Sequence, residues 1–167
     1  MTVHSLLRWV LPAGAGLVLL ATAAYAQRPL TPTMGTARIW FYRDMAPYSS
    51  LATPYVRLNG VVAGVSQPGG ASYRDVPAGH YHISVDSYGV DFGQTKDVDL
   101  APGAEIYAKV VSNDNWIEGG GGGRGGGGGY HRNTFYVWLY PAEVARPVIA
   151  RSWFYGGGTL TAAVPPQ

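Results

Sequence analysis

Residues 73–86 read Y-R-D-V-P-A-G-H-Y-H-I-S-V-D, two short strand patterns joined at a Pro-Ala-Gly corner. Pro77 sets φ near the value a turn needs at its second position, and Gly79 supplies the positive φ that other residues resist, so the chain turns there at little cost. Beyond the corner the alternation is strict: Tyr81, Ile83 and Val85 fall on one face, and His80, His82, Ser84 and Asp86 on the other. Period two is the mark of a strand buried on one side.

The same rhythm extends outward. Residues 36–43, T-A-R-I-W-F-Y-R, place Ala37, Ile39 and Phe41 on one side and Arg38, Trp40 and Tyr42 on the other, so both faces are expected to be partly covered. A proline-bracketed loop, residues 44–54, leads to an extended pattern at 55–58. That pattern turns at Asn59-Gly60, a strong hairpin signal, and returns over 61–66. Residues 95–100 are strand-like and turn at Pro102-Gly103. Residues 105–112 follow as a strand whose faces, Ile106, Ala108 and Val110 against Tyr107, Lys109 and Val111, are too alike to orient; 135–140 is a further strand. Seven or eight short strands at roughly ten-residue intervals indicate an all-β, antiparallel sandwich or barrel. Its expected extent is 36–155.

Two stretches break the rhythm. Residues 119–129 are ten glycines around Arg124, a tract whose backbone entropy predicts a mobile loop. After Pro141 the run A-E-V-A-R-P-V-I-A-R has the pattern of a helical turn or two before Pro147 disturbs it, and 156–167 has the composition of a flexible tail.

At the other end, Arg8 precedes a run from Trp9 to Leu20 without charge, which closes in Ala24-Tyr25-Ala26. This is the pattern of a secretory signal over residues 1–26, cut between Ala26 and Gln27, with 27–35 as an extended leader to the domain. The alternative is an uncleaved anchor helix, which Pro12, Gly14 and Gly16 weaken. The 167-residue chain has no cysteine, hence neither a disulfide framework nor a lipid-attachment residue, and a periplasmic or secreted product is expected. Of its 12 basic residues only Arg8 lies in 1–26, which leaves 11 against 10 acidic ones in the remainder. A nearly neutral chain nominates no nucleic-acid partner, and no membrane partner is expected once the signal is removed.

The order A-R-I-W-F-Y-R (37–43), V-R-L-N-G-V-V-A-G (56–64), Y-R-D-V-P-A-G-H-Y-H-I (73–83) and L-A-P-G-A-E-I-Y-A-K-V (100–110) resembles a small exported bacterial β-sandwich domain, the domain of unknown function numbered 2846, and more distantly PEGA domains. The resemblance covers residues 36–112 and rests on structural motifs. It implies an immunoglobulin-like or transthyretin-like sandwich in the cell envelope, and it brings no catalytic residues or cofactor.

Each chemical candidate has a plainer alternative. His80 and His82, two apart on one strand face, have the spacing of a His-x-His metal pair, but a third ligand is lacking locally. Asp86 is roughly 13 Å along the strand from His82, at about 3.3 Å per residue. His131 sits beside the glycine tract. Two solvent-facing histidines are the preferred reading. Asp97 and Asp99 share a strand spacing that would suit a glycosidase, yet any D-x-D strand has it, and a solvated face explains them better. No G-x-S-x-G, H-E-x-x-H or P-loop pattern occurs, so a metal protein or hydrolase ranks last and no enzymatic activity or cofactor is expected.

Aromatic residues are in surplus: Tyr136, Trp138 and Tyr140 share one strand face, Trp40 and Tyr42 another. Exposed, these rings would form a partner or ligand surface, suited to a glycan or an envelope protein; covered, they would be a second half of the core or lie under the C-terminal segment. The covered reading is preferred, because exposed apolar patches on soluble monomers are small. The expected function is therefore structural or protein-interacting, with glycan binding as the alternative. The signal pattern makes a direct prediction: N-terminal sequencing of the protein made by an exporting cell will begin at Gln27, and an intact Met1 on membrane-bound protein would refute it.

Overall fold

A computed structural model describes residues 31–32, 34–47, 49–117 and 130–160, and side-chain surroundings for these except 114–117 and 130–132. The signal segment with its Ala26/Gln27 cleavage position and the glycine tract at 119–129 lie outside the described residues, as does most of the leader.

Among the described residues nine strands form two packed sheets: β1 (Thr36–Tyr42), β2 (Tyr55–Leu58), β3 (Val61–Val65), β4 (Gly70–Pro77), β5 (Gly79–Val85), β6 (Lys96–Leu100), β7 (Glu105–Ile117), β8 (Tyr130–Tyr140) and β9 (Trp153–Thr159). The helix α1 (Ala142–Arg151) lies between the last two. One sheet has the order β8-β7-β1-β4-β9 and the other β3-β2-β5-β6. The fold is thus an all-β sandwich with a short helix near the C-terminus. Five of the seven described pairings are antiparallel, while β1 with β7 and β4 with β9 run parallel.

The corner at Pro77 to Gly79 changes sheets. It does not close a hairpin: β4 pairs with β1 and β9, whereas β5 pairs with β2 and β6. Gly79 has the positive φ expected, at +156°. The Tyr81 hydroxyl donates back across the corner to the Pro77 carbonyl at 2.9 Å. Pro102-Gly103 makes the return crossing from β6 to β7, with the Ala104 N–H donating to the Ala101 carbonyl across the turn. Asn59 and Gly60, both at positive φ (+48° and +82°), join β2 to β3 as their sequence predicts. Asn59 does more. Its side-chain oxygen accepts from the His82 N–H at 2.7 Å, which extends the β2–β5 ladder past the end of the strand.

Two apolar cores result. Between the sheets lie Ile39, Phe41, Val56, Leu58, Tyr81, Ile83, Ala108 and Val137, among others. Ala108 and Val110 face this core and Tyr107 the opposite side, which orients the strand that sequence left open. On the outer face of the five-stranded sheet a second cluster joins Trp40, Tyr42, Ala71, Tyr73 and Tyr107 to Ala145 and Ile149 of α1. Trp40 and Tyr42, candidates for a partner surface, are buried there instead. Burial, with Asp44 nearby, pushes the Tyr42 hydroxyl up to about 12.

Two sequence expectations change at this outer layer. The helix continues through Pro147 for ten residues, because Ala145 and Ile149, four apart, are held against the sheet and outweigh the one backbone hydrogen bond the proline removes. Residues 156–159, read as the start of a tail, belong to β9. Gly157 explains how β9 fits: a Cβ there would stand 1.9 Å from the Tyr73 ring, so only glycine lets this backbone cross the aromatic.

A polar cluster fastens α1. Glu105 accepts from Trp40 Nε1 (2.6 Å), the Tyr107 hydroxyl (2.6 Å) and Arg146 Nη2 (2.7 Å). Burial by itself would raise the Glu105 carboxyl, but the hydrogen bonds from Tyr107, Arg146 and Trp40 outweigh it and hold the group below its ordinary value. A depressed folded value gives stability that is fully present above the unfolded value of about 4.3 and lost as pH falls through the folded one. Glu105→Gln is accordingly expected to lower stability by about 1–3 kcal/mol at pH 7 and to flatten the loss of stability below about pH 4. Thermal melts of both proteins from pH 3 to 8 test this, and parallel curves would refute it.

Candidate functional site

One end of the sandwich carries an open groove of about 530 Å³ lined by residues 52–54 of the β1–β2 connection, Tyr55 at the start of β2, Asp86, Ser87 and Tyr88 beyond β5, and Asn133 and Phe135 of β8. Tyr55 is 49% and Tyr88 93% exposed, so two aromatic rings stand at its edge. At this end the inner-face alternation of β5 stops at Val85 and the chain continues as a loop, while β8 runs on past Phe135 and brings Asn133 to the groove.

Its walls are braced from below. Arg43 continues the inner face of β1 and is 2% exposed. Its guanidinium donates to the Ala52 carbonyl at 2.7 Å and to the Ser50 carbonyl, and lies 5.1 Å from the centre of the Phe135 ring. One buried arginine therefore ties the loop wall to the groove floor. Asp86 is held by Arg57 through two bonds of 2.7 and 3.0 Å, and these hydrogen bonds keep its carboxyl below the ordinary value. Ser87 Oγ accepts from the Phe135 N–H at 3.0 Å and fixes the opposite wall to β8.

Residues 87–94 are organised by Gln94. Its side-chain amide donates to the Gly89 carbonyl (2.7 Å) and the Phe135 carbonyl (3.0 Å), while its own carbonyl accepts from the Val137 N–H (2.9 Å). Tyr136, another aromatic candidate, donates its hydroxyl to Asp91 Oδ2 at 2.6 Å and so acts as a brace for this loop. Trp138 is 51% exposed with the Lys96 ammonium 5.6 Å from its ring centre. Tyr140 is half-buried against the second core, under Lys109. The five rings thus divide: two in the core, two partly covered, and Trp138 alone among them exposed.

His80 and His82 meet partners that sequence spacing did not disclose. Cross-strand register places His80 opposite Asp99 and His82 opposite Asp97. His80 Nδ1 lies 2.9 Å from Asp99 Oδ1, and His82 Nδ1 lies 2.8 Å from Asp97 Oδ1. The D-x-D carboxylates face the H-x-H imidazoles on an exposed sheet face, and Asp97 Oδ1 also stands 3.7 Å from His80 Nε2. Among the described residues, no group of three or more His, Cys, Asp or Glu side chains is arranged to hold a metal ion.

The groove residues carry no motif; Tyr55 opens β2 and Tyr88 lies three residues beyond β5, and only the fold brings them to one end with Asn133 and Phe135 of β8. The chain matches no protein-family model, no curated protein and no solved structure. Because Arg43 bridges loop and floor, Arg43→Met is expected to raise amide exchange at residues 49–54 by about tenfold or more while leaving β1 and β4 protected. Uniform destabilisation of the whole domain would show that Arg43 serves the core and not the groove.

Proposed function

We propose that this chain is an exported, non-catalytic β-sandwich of the cell envelope that holds a segment of a protein partner in its end groove. The observation that carries the reading is the groove itself, about 530 Å³ between exposed Tyr55 and Tyr88, with walls fixed by Arg43, Ser87 and Gln94. A preformed site flanked by tyrosines suits binding, since the rings bring large contact area with little side-chain entropy to lose. Export rests on the signal pattern of residues 1–26, and an envelope setting on the resemblance of residues 36–112 to exported sandwich domains.

Glycan binding is the second reading, favoured by the hydroxyls and amide of Thr53, Ser87 and Asn133 beside the two rings. A photo-crosslinking amino acid at position 88 in the exported protein separates the two. One discrete protein adduct that weakens at least tenfold with Tyr55→Ala supports the first. Retention on an envelope polysaccharide that Tyr55→Ala abolishes, with no protein adduct, replaces it by the second.

A further inference from the structure

The loop after β5 continues past the groove: Tyr88 lines it, but the residues that follow do not. Within five residues Tyr88, Val90 and Phe92 are 93, 92 and 99% exposed, so each side chain stands clear of the body. Val90 and Phe92 line no part of the groove. Such exposure is unfavourable in water, and a loop free to move would fold these groups against the surface. This loop is not free. Gln94 pins it to Gly89 and β8, and Tyr136 pins it through Asp91.

The tip is also prepared to leave water. The Asp91 N–H donates to Gln94 Oε1 at 2.6 Å, the Phe92 N–H to Asp91 Oδ1 at 2.8 Å, and the Gly89 carbonyl accepts from Gln94. Three backbone groups of the tip thus have internal partners, which lowers the cost of moving it into a less polar medium. Asp91, the only charged residue from 87 to 94, has its carboxylate engaged by Tyr136 and by its own loop.

We propose that residues 88–92 insert into the interfacial layer of a lipid bilayer and seat the domain on a membrane surface. Size argues for lipid over a protein pocket. Three such side chains offer about 500–600 Å², at roughly 150–250 Å² per ring, below the approximately 800 Å² per partner of a stable protein interface. Aromatic and aliphatic groups without a basic cluster match an uncharged lipid surface, where apolar burial drives binding and salt has little effect. This attachment is peripheral. No helix among the described residues is long and apolar enough to span a membrane. It departs from the expectation of no membrane contact, because three apolar residues alternating in a glycine-containing loop carry no sequence signature.

The test is co-sedimentation of the exported protein with phosphatidylcholine–phosphatidylethanolamine vesicles, compared with a Val90→Ser, Phe92→Ser variant whose folding is checked by thermal melt. The expected result is binding that survives 0.5 M salt and weakens about a hundredfold in the variant, about tenfold per side chain. Binding equal in both proteins, no binding at all, or binding confined to phosphatidylglycerol vesicles at low salt would overturn the proposal. So would a wild-type dimer that the variant converts to monomer without vesicle binding, which would make the tip a self-association surface. Tyr55 and Tyr88 stay intact in this variant, so the groove reading stands or falls separately.

Discussion

The buried ion pair between Arg38 and Asp75 constrains the rest of the fold. Arg38 Nε and Nη2 meet the two carboxylate oxygens at 2.7 and 2.9 Å, with side-chain exposures of 1% and 4%. A pair so desolvated adds little net stability, because the loss of hydration offsets most of the attraction, but breaking it would leave a buried charge uncompensated. Its consequence is register. Arg38 faces Asp75 across β1 and β4, and a slip of one residue would send both charges to the inner face, into the main core.

The pair also needs a cover. The Arg38 guanidinium lies 3.9 Å from the centre of the Tyr73 ring, Tyr73 packs on Trp40 and Phe154, and α1 closes the layer through Ala145 and Ile149. Its members depend on one another: Tyr73 has room only because residue 157 is glycine, and the helix packed through Ala145 and Ile149 is fastened further where Glu105 gathers Trp40, Tyr107 and Arg146. The centre of the five-stranded sheet is therefore covered on both faces, which is why its strand β1 is apolar on one side and aromatic and charged on the other, with both buried.

With the centre of that sheet occupied on both faces, the groove is formed at the end of the sandwich. The groove and the apolar tip share Tyr88 and the bracing of residues 87–94 against β8, so both lie at one end of the sandwich. Gln94 serves both: through Phe135 it holds the groove floor, and through Gly89 and Asp91 the base of the tip. A domain seated on lipid by residues 88–92 would hold its groove next to the membrane, a placement suited to a partner that is itself anchored there.

Alternation along residues 36–42 and 79–85 and the Asn-Gly and Pro-Gly turns determined the strands, their inward faces and the sandwich, because period-two burial and positive-φ turns are local properties. Tertiary structure alone decided three things. It made residues 153–159 a strand, since the use of Gly157 is visible only once Tyr73 lies beneath it. It joined the His80–Asp99 and His82–Asp97 pairs, which lie 19 and 15 residues apart and meet only through the register of β5 with β6. And it sorted the aromatics, burying Trp40 and Tyr42 while leaving Tyr55, Tyr88 and Phe92 outside, because a ring's exposure depends on what packs above it and not on its own neighbours in the chain.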